Sequence, residues 1–326
     1  MIDVLISEQI SGPYVEALSS RFQVSIEPDL WQDQQALSRA VTATRTLIVR
    51  NKTQVTGELM RGAENLVAIG RAGVGLDNID MQSANGAGIV VTSTPDQNAI
   101  SVAELTIGLM ISLAREIPQM ALDTANGNWS RQRFVGVELY GKTLGIIGAG
   151  KIGYLTAMRA RALGMNVLAY DPFVSEDNVF LGELHAKLVD LDQLLARADF
   201  VSVHVPASPK TTGLLNRERL DRMKPTAYLI NTARGPVIVE DDLIEALKAG
   251  SIAGAALDVR VSEPPQDSPL NHMPNVILTP HIAAFTREAQ DRVVRAVCTD
   301  IARLLEGKPA RNAVTAFSLP RNGNGH

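Results

Sequence analysis

Residues 144–171 constrain the fold of this chain more than any other segment. They contain an apolar run typical of a buried strand, a helix-forming stretch and a second apolar run, at 144–147, 154–163 and 166–170. Three glycines at G-x-G-x-x-G spacing connect the first strand to the helix, and an aspartate follows the second strand: Gly148, Gly150, Gly153 and Asp171. This combination is the βαβ fingerprint of a dinucleotide-binding domain. The alternative is a glycine-rich loop in another kind of α/β protein.

Asp171 predicts which dinucleotide is bound. A carboxylate at the end of this strand accepts hydrogen bonds from the ribose hydroxyls of NAD and repels the additional phosphate of NADP. The next residues, Pro172 and Phe173, carry no positive charge that could neutralise that phosphate. The sequence therefore favours NAD, with a loop acid that contacts no ligand as the alternative.

The composition argues against several other classes of protein. The chain has 326 residues, of which 45% are hydrophobic and 20% charged, and its net charge of −4 argues against nucleic-acid binding. It has a single cysteine, Cys298, which falls in an apolar helical pattern, so we predict neither a disulfide nor a metal site. No apolar run approaches the roughly 20 residues that cross a bilayer, and the first residues lack the basic start of a signal peptide. We expect a cytoplasmic protein without membrane contact.

Short apolar segments alternate with helical patterns along the chain, which predicts parallel α/β architecture. Strands are predicted at 2–6, 22–26, 46–50, 66–70 and 89–92, and in a second unit at 143–147, 166–170, 200–205, 227–231, 254–258 and 276–279. The predicted fold is α/β, with two Rossmann-like, doubly wound domains that contain parallel sheets. The first domain is discontinuous and comprises residues 1–98 and 285–326, whereas the second, dinucleotide-binding domain comprises residues 99–284.

Two long helices complete the predicted organisation. The first spans 101–127 and begins at Ser101 and Glu104, which have the S-x-x-E spacing of a capping box. Its apolar face is wider than one domain usually covers, so it either packs in the core or also contributes to a subunit interface. The final helix spans 287–306, and the polar tail at 320–326 is predicted to be disordered.

Three side chains suited to binding a carboxylate and moving a proton follow predicted strands of the second domain, where ligands bind in open α/β sheets. Arg234 lies in Asn-Thr-Ala-Arg-Gly, Glu263 in Ser-Glu-Pro-Pro and His281 in Thr-Pro-His-Ile-Ala. A guanidinium binds a carboxylate through two parallel bonds, and imidazole changes charge near neutral pH. A carboxylate bonded to His281 would fix its ring and favour its protonated form. From spacing alone, each residue has an alternative: a surface ion pair for Arg234, a loop charge for Glu263 and a structural hydrogen bond for His281.

His204, at a strand end, is expected to pack beside the dinucleotide.

In this order and at this spacing, the motifs resemble those of the D-isomer-specific 2-hydroxyacid dehydrogenases. The resemblance covers nearly the whole chain and extends to the segments 70–80, 101–104 and 141–145. It implies an NAD-dependent oxidoreductase that transfers a hydride between nicotinamide and a small D-2-hydroxy acid or 2-keto acid. It also implies a catalytic triad. Arg234 would hold the substrate carboxylate and polarise the carbonyl, His281 would exchange the proton, and Glu263 would support His281.

The resemblance further implies which residues contact the cofactor and the substrate. The cofactor-binding set is Gly148, Gly150, Lys151, Ile152, Gly153, Asp171, His204, Val205, Pro206, Thr232, Ala233, Asp258, Ala283 and Ala284. Asp258 would approach the nicotinamide carboxamide. The backbone at Gly73 and Val74 would grip the substrate carboxylate from the first, substrate-binding domain. Members of the family are typically dimeric through the cofactor domain, so we expect a homodimer.

The substrate is expected to carry an anionic tail. Residues 47–50 and 134–136 are most similar to those of 3-phosphoglycerate dehydrogenases, so 3-phosphoglycerate leads among the candidate substrates. The candidate anion-binding side chains are Arg50, Arg131 and Arg133, with a solvated surface arginine as the alternative for each. Reduction of hydroxypyruvate or glyoxylate, oxidation of sulfolactate, and a non-enzymatic NAD-sensing scaffold are alternative functions.

Two departures from the family pattern affect these expectations. Phe285 stands where many relatives carry a small polar residue, which bears on substrate identity. The sequence ends soon after its last predicted helix, so feedback by serine through a C-terminal regulatory domain is not expected.

Overall fold

The computed structural model describes residues 1–175 and 177–315, so the predicted tail at 320–326 lies outside the described residues. Two compact units are present, one formed by Met1–Asn98 with Thr286–His326 and the other by Ala99–Phe285. Phe285, which was predicted to begin the second segment of the first domain, is the last residue of the second unit.

The first unit contains a parallel sheet of five strands in the order β2-β1-β3-β4-β5. Its strands are β1 Ile2–Ile6, β2 Val24–Ile26, β3 Thr44–Val49, β4 Ala68–Arg71 and β5 Val90–Thr92. Its helices are α1 Pro13–Ser19, α2 Gln34–Thr42, α3 Gly57–Arg61, α4 Met81–Gly86 and α12 Arg287–Leu305, with a short 3₁₀ helix at Leu30–Gln32. The strand order 2-1-3-4-5 is one of the two common doubly wound arrangements.

The second unit contains a parallel sheet in the order β12-β11-β10-β9-β6-β7-β8. Its strands are β6 Thr143–Ile147, β7 Asn166–Tyr170, β8 Lys187–Leu188, β9 Phe200–Val203, β10 Tyr228–Asn231, β11 Gly254–Leu257 and β12 Val276–Leu278. Its helices are α5 Ala99–Arg115, α6 Ile117–Ala125, α7 Lys151–Ala162, α8 Val179–Glu183, α9 Leu191–Arg197, α10 Arg217–Leu220 and α11 Glu240–Ala249, with 3₁₀ helices at Gly235–Val237 and Pro269–His272. Read from β8, the order is that of a Rossmann sheet with one further strand, which confirms the predicted fold class.

β8 was not predicted, and the first long helix differs from its prediction. β8 has only two residues, too few to produce an alternating pattern. The predicted helix 101–127 is two helices, because Glu116 adopts a left-handed conformation with φ 51° and Pro118 can occupy only the first turn of a new helix. The predicted capping box is also wrong, because α5 begins at Ala99 and Ser101 is buried inside its first turn.

The wide apolar face of α5 is buried inside the second unit. Val102, Leu109 and Leu113 are each at most 5% exposed, and α5 packs against α7, β10 and β11. Exposed apolar side chains occur further along, in the segment 117–140, which we call the apolar arm. They are Ile117, Leu122, Trp129, Val135, Val137 and Tyr140.

The last helix of the described chain, α12, covers one face of the first sheet. Val297 and Ile301 pack so closely on β4 that a side chain at Gly70 would lie 2.7 Å from Val297 Cγ2. Cys298 is buried in this core, as predicted, and burial raises the pKa of its thiol to about 12. None of the helices in residues 1–175 and 177–315 combines the length and hydropathy that a membrane crossing requires.

Candidate active site

The predicted site residues of the second unit follow strands that end at the same edge of the sheet. The strand register aligns the last residues of six strands, which are Ile147, Tyr170, Val203, Asn231, Leu257 and Leu278. Six polar or glycine residues come next in the chain: Gly148, Asp171, His204, Thr232, Asp258 and Thr279. The carboxyl edge therefore gathers residues from all parts of the unit, as expected for a ligand site in an open α/β sheet.

The glycine loop after β6 has the close contacts that its fingerprint requires. Gly148 has φ +99°, and a β-carbon there would lie 2.7 Å from the carbonyl oxygen of His204. A β-carbon at Gly153 would overlap the carbonyl of Gly148, so α7 packs directly on the loop. At Gly150 a β-carbon would meet no atom of the described residues within 4 Å. The loop is thus tight on the protein side and open where a pyrophosphate would approach.

The start of α7 and Asp171 fit the rest of a dinucleotide. Gly150 is the N-cap of α7, and no side chain of the described residues caps this helix, which leaves its first amides for an anion. Asp171 accepts hydrogen bonds from the amides of Ala149 and Phe173, each at 2.9 Å. A carboxylate has about four acceptor positions, so the ribose hydroxyls of a dinucleotide could still bind to this side chain beside the loop.

His204 is a neutral packing residue in this structure. Its Nε2 lies 2.9 Å from Ser202 Oγ, and burial lowers the pKa of its imidazole to about 3. The lowered pKa keeps the ring in its neutral form near neutral pH, which fits packing beside the dinucleotide rather than donation of a proton. Val205 and Pro206 follow it along the carboxyl edge, where Val205 would contact a β-carbon placed at Gly148.

Asn231, which the sequence analysis missed, shapes the turn that carries Arg234. Its side-chain amide donates to the carbonyl of Arg234 at 2.9 Å and accepts from the amide of Ala233 at 3.0 Å. Thr232 is fixed by a 2.9 Å contact to Thr106 Oγ1 on α5. Because the Thr106 hydroxyl donates to the Val102 carbonyl, Thr232 is the donor in this bond. A buried asparagine at a strand end was the available signal.

Asp258 organises the turn that carries His281. The carboxylate accepts from Thr279 Oγ1 at 2.6 Å and from the amides of Ile282 and Ala283, both at 2.9 Å. The Asp258 carbonyl accepts from the His281 amide at 2.8 Å. His281 has φ +55°, a conformation that costs energy for a residue with a side chain. The four bonds offset this cost and hold the histidine at the edge of the sheet.

His281 and Glu263 form a short hydrogen-bonded pair. His281 Nδ1 lies 2.6 Å from Glu263 Oε2, and the amide of Arg260 donates to Glu263 Oε1 at 3.1 Å. Partial burial alone would raise the pKa of Glu263, but the hydrogen bonds from His281 and Arg260, with the charges of His281 and Arg234, lower it below its usual value. The ionised carboxylate can only accept, so Nδ1 carries the proton and Nε2 is left to exchange one with a ligand.

Arg234 acts on the same carboxylate. Its charge contributes to the lowered pKa of Glu263, and its Nη1 donates to the Ala233 carbonyl at 2.7 Å. The structure therefore brings Arg234, Glu263 and His281 together at one end of the sheet. This set can bind a carboxylate through the guanidinium and move a proton through the imidazole.

The predicted substrate contacts of the first unit lie at the carboxyl ends of β3 and β4. Arg50 follows β3, and its amide donates to the buried carboxylate of Glu8 at 2.8 Å. Burial lowers the pKa of the Arg50 guanidinium, which the charge of Glu8 partly offsets. Arg50 Nε has no hydrogen-bond partner among the described residues. Gly73 and Val74 follow β4, and Val74 is 40% exposed.

Two further predicted anion-binding arginines lie on the apolar arm. Arg131 and Arg133 are both exposed. Arg133 lies 3.9 Å from Asp123 and over the ring of Phe134. No group of His, Cys, Asp and Glu side chains in the described part of the chain is arranged to hold a metal ion.

Comparison with known proteins identifies the family. Residues 107–283 match the model of the NAD binding domain of the D-isomer specific 2-hydroxyacid dehydrogenases. The chain belongs to this family. It is 44% identical over 317 residues to D-3-phosphoglycerate dehydrogenase of Archaeoglobus fulgidus, an alignment that covers 97% of this chain and 60% of the relative. It is also 42% identical to the Methanocaldococcus jannaschii D-3-phosphoglycerate dehydrogenase over 98% of this chain and 61% of that protein. The chain spans about three fifths of the length of these curated relatives.

A solved structure agrees with the family assignment. The chain superposes on D-lactate dehydrogenase from Aquifex aeolicus, which was solved with NAD and lactic acid, with a TM-score of 0.87 and 29% identity. The match covers 97% of this chain and all of that one. The glycine loop, Asp171 and the carboxyl edge of this chain thus lie in an established NAD-binding domain.

Proposed function

We propose that the protein is an NAD-dependent dehydrogenase of small D-2-hydroxy acids, with 3-phosphoglycerate as the leading substrate. The observation that carries this proposal is the His281–Glu263 pair at 2.6 Å, beside Arg234 and on the same edge as the glycine loop. Family membership and the D-3-phosphoglycerate dehydrogenase relatives support it. The proposed catalytic residues are Arg234, Glu263 and His281.

The roles of the three side chains follow from their chemistry. Arg234 binds the substrate carboxylate and polarises the neighbouring carbonyl, because a guanidinium presents parallel donors to a planar anion. His281 Nε2 gives a proton to the carbonyl oxygen in reduction and takes it back in oxidation. Glu263 keeps the proton of Nδ1 in place and stabilises the charged imidazole. When NAD is bound, its nicotinamide supplies the hydride chemistry.

The cofactor contacts are proposed as the sequence predicts them. Gly150, with the amides of Lys151 and Ile152, would hold the pyrophosphate, while Gly148 and Gly153 keep the loop close to the protein. Asp171 would hold the adenosine ribose. The remaining contacts come from the carboxyl edge: His204, Val205, Pro206, Thr232, Ala233, Asp258, Ala283 and Ala284. Asp258 already accepts three hydrogen bonds, so at most one acceptor position remains for the nicotinamide carboxamide.

Arg50 is the proposed ligand for the anionic tail of the substrate, with the backbone at Gly73 and Val74 on the substrate carboxylate. The backbone after β3 is bound to Glu8, whose carboxylate accepts from the amides of Arg50, Lys52 and Thr53. Arg50 Nε, which lacks a partner among the described residues, would gain one from a bound phosphate or sulfonate. Arg131 and Arg133 are secondary candidates for the same role.

A panel of substrates tests the proposal. NADH oxidation would be measured with phosphohydroxypyruvate, hydroxypyruvate, glyoxylate, sulfopyruvate and pyruvate, each also with NADPH. We expect the highest kcat/KM with an anionic-tailed keto acid and NADH, and Arg50→Ala should raise KM for that substrate at least tenfold more than for glyoxylate, since a charge-assisted bond contributes about 1.5–3 kcal/mol. A preference for glyoxylate or hydroxypyruvate would instead favour a reductase of small keto acids. Failure of every keto acid, with NADH still bound, would favour the NAD-sensing scaffold.

We also propose that the protein is a homodimer and that the apolar arm forms the interface. The support is the exposure of Trp129, Val135 and Tyr140, which are each almost four fifths exposed within a single chain. Several large apolar side chains exposed within one segment are typical of an interaction site.

A further inference from the structure

A buried ion pair joins the loop that carries Glu263 to the first turn of α11. Arg260 Nε and Nη2 donate to the two carboxylate oxygens of Glu240 at 3.1 and 3.0 Å. The Arg260 side chain is only 7% exposed, and a third donor, Nη1, contacts Asn271 Oδ1 at 3.4 Å. Such two-point pairs are strong and directional, because both partners are charged and planar.

The same pair fixes the main chain that supports Glu263. Glu240 Oε1 also accepts from the amide of Val261 at 2.8 Å. The adjacent amide, that of Arg260, donates to Glu263 Oε1. The backbone at 260–261 therefore binds both carboxylates. Its Val261 amide donates to Glu240, and its Arg260 amide donates to Glu263.

The turn that carries Arg234 rests on this backbone as well. A β-carbon at Gly235 would overlap the carbonyl group of Arg260, so only glycine allows the two segments to touch. Because Arg234 immediately precedes Gly235, a shift of the 260–261 backbone would move both the guanidinium and Glu263.

Stability alone does not account for a buried pair of this kind. Removing two charges from water costs about as much as their attraction returns, so buried ion pairs are often no more stable than apolar replacements. Their directional bonds do, however, fix the position of whatever is attached to them.

We infer that Glu240 and Arg260 are positioning residues for the reaction. They hold the 260–261 backbone in the position at which Glu263 accepts from His281 Nδ1 and Arg234 lies beside this pair. This inference rests on the proposed function for its catalytic consequence. Its structural consequence is independent of activity, because the hydrogen bond to Glu263 sets which nitrogen of His281 is protonated.

The test variant is Glu240→Gln. A glutamine oxygen can still accept from Val261 and Arg260 Nε, but its NH₂ group faces Arg260 Nη2, so two donors oppose each other and the buried guanidinium loses its counter-charge. The matched control is Asp199→Asn. Asp199 pairs with Lys224 at 2.8 Å and accepts from the Thr143 amide, at the amino ends of the strands and away from the site. Both variants remove one charge from a partly buried pair.

The first readout is the tautomer of His281, measured by nitrogen-15 NMR on histidine-labelled protein without substrate or cofactor. The chain has five histidines, and the His281→Gln variant assigns the signal. We expect the Nδ1–H form in the wild type and in Asp199→Asn, and a shift towards the Nε2–H form in Glu240→Gln. An unchanged tautomer in Glu240→Gln would overturn the inference. This readout remains valid if the protein reduces no keto acid, in which case only the proposed function fails.

The second readout is kinetic. In Glu240→Gln we expect kcat to fall about tenfold, since small displacements of catalytic groups cost this much or more, while KM and NADH affinity stay within twofold. Arg260→Lys keeps the positive charge but loses the two parallel donors of the guanidinium. Its kcat should therefore lie between those of the wild type and Glu240→Gln. The double variant Glu240→Leu/Arg260→Met should regain thermal stability relative to either single change, yet keep the low kcat and the shifted tautomer. If kcat recovered together with stability, the pair would be structural only and the inference would be wrong.

Discussion

At the scale of single residues, the hydrogen bond between Glu263 and His281 decides how the imidazole can act. The carboxylate stays ionised, since its pKa is lowered by the donors and charges around it despite partial burial. It therefore accepts from Nδ1 and leaves Nε2 available for the substrate contact that we propose. Arg234, Glu263 and His281 could be predicted from strand-end motifs and the family resemblance. The hydrogen bond between His281 and Glu263 could not, because it depends on the conformation of the turn at 281–283.

Glu263→Gln should slow keto-acid reduction. The neutral amide can turn its NH₂ group towards His281 Nδ1, so two donors would face each other where the wild type has a hydrogen bond. We expect kcat to fall about tenfold or more, because small displacements of catalytic groups cost this much. Steady-state rates with the best keto acid of the panel measure this change. Glu245→Gln, which removes an exposed carboxylate paired with Lys248, serves as the control, and equal rates for both variants would remove Glu263 from its role.

Asp171→Asn should weaken the discrimination between the two dinucleotides. The amide keeps an oxygen for the Ala149 amide but no longer repels a ribose phosphate. We expect the ratio of kcat/KM for NADH over NADPH to fall at least tenfold, because a hydrogen bond to a charged group contributes about 1.5–3 kcal/mol. A ratio equal to that of the wild type would contradict the assignment of Asp171 to the ribose.

At the scale of elements, sequence patterns located the strands well because each is a short run of apolar residues between turns. They failed where local pattern and tertiary context differ. β8 forms because two residues pair with β7, and the break at Glu116 follows from Pro118 rather than from any change of hydrophobicity. The supporting bonds of Asn231, Glu240 and Arg260 were also not predicted, since their partners depend on how turns pack against each other.

The turn at 281–283 depends on Asp258, so Asp258→Asn should affect stability and catalysis together. The amide cannot accept from all three donors, and a buried donor left without a partner costs about 1–3 kcal/mol. We expect a lower Tm and a kcat reduced by tenfold or more. The control is Asp300→Asn, since Asp300 is also fully buried and accepts from the amides of Arg311 and Asn312. It should lower Tm similarly without lowering kcat, and equal losses of kcat in both would assign Asp258 a purely structural role.

At the scale of the whole molecule, the apolar arm accounts for the expected dimer better than the helix that first suggested it. The face of α5 is used within the core of its own unit, whereas Trp129 and Val135 are 79% exposed. The helical pattern at 101–127 predicted a wide apolar face but not where apolar side chains are exposed, because it did not predict that the helix ends at Arg115 and a new one begins at Ile117.

The double variant Trp129→Ser/Val135→Ser should convert the protein to a monomer. Two large apolar side chains contribute about 1.5–3 kcal/mol each when buried, enough to raise a dimer dissociation constant at least a hundredfold. Sedimentation equilibrium over a range of concentrations measures this constant. Phe173→Ser, at an equally exposed residue outside the arm, should leave it unchanged. A wild type that is monomeric at every concentration would contradict the proposal outright.

In the proposed reaction, His281 Nε2 transfers the proton while Arg234 holds the keto acid. Single-turnover reduction of the best keto acid of the panel, followed by NADH absorbance in wild type and His281→Gln, tests it most directly. The variant should be slower by about 10²–10⁴-fold and bind NADH with unchanged affinity. A rate within a few-fold of the wild type would show that another group donates the proton.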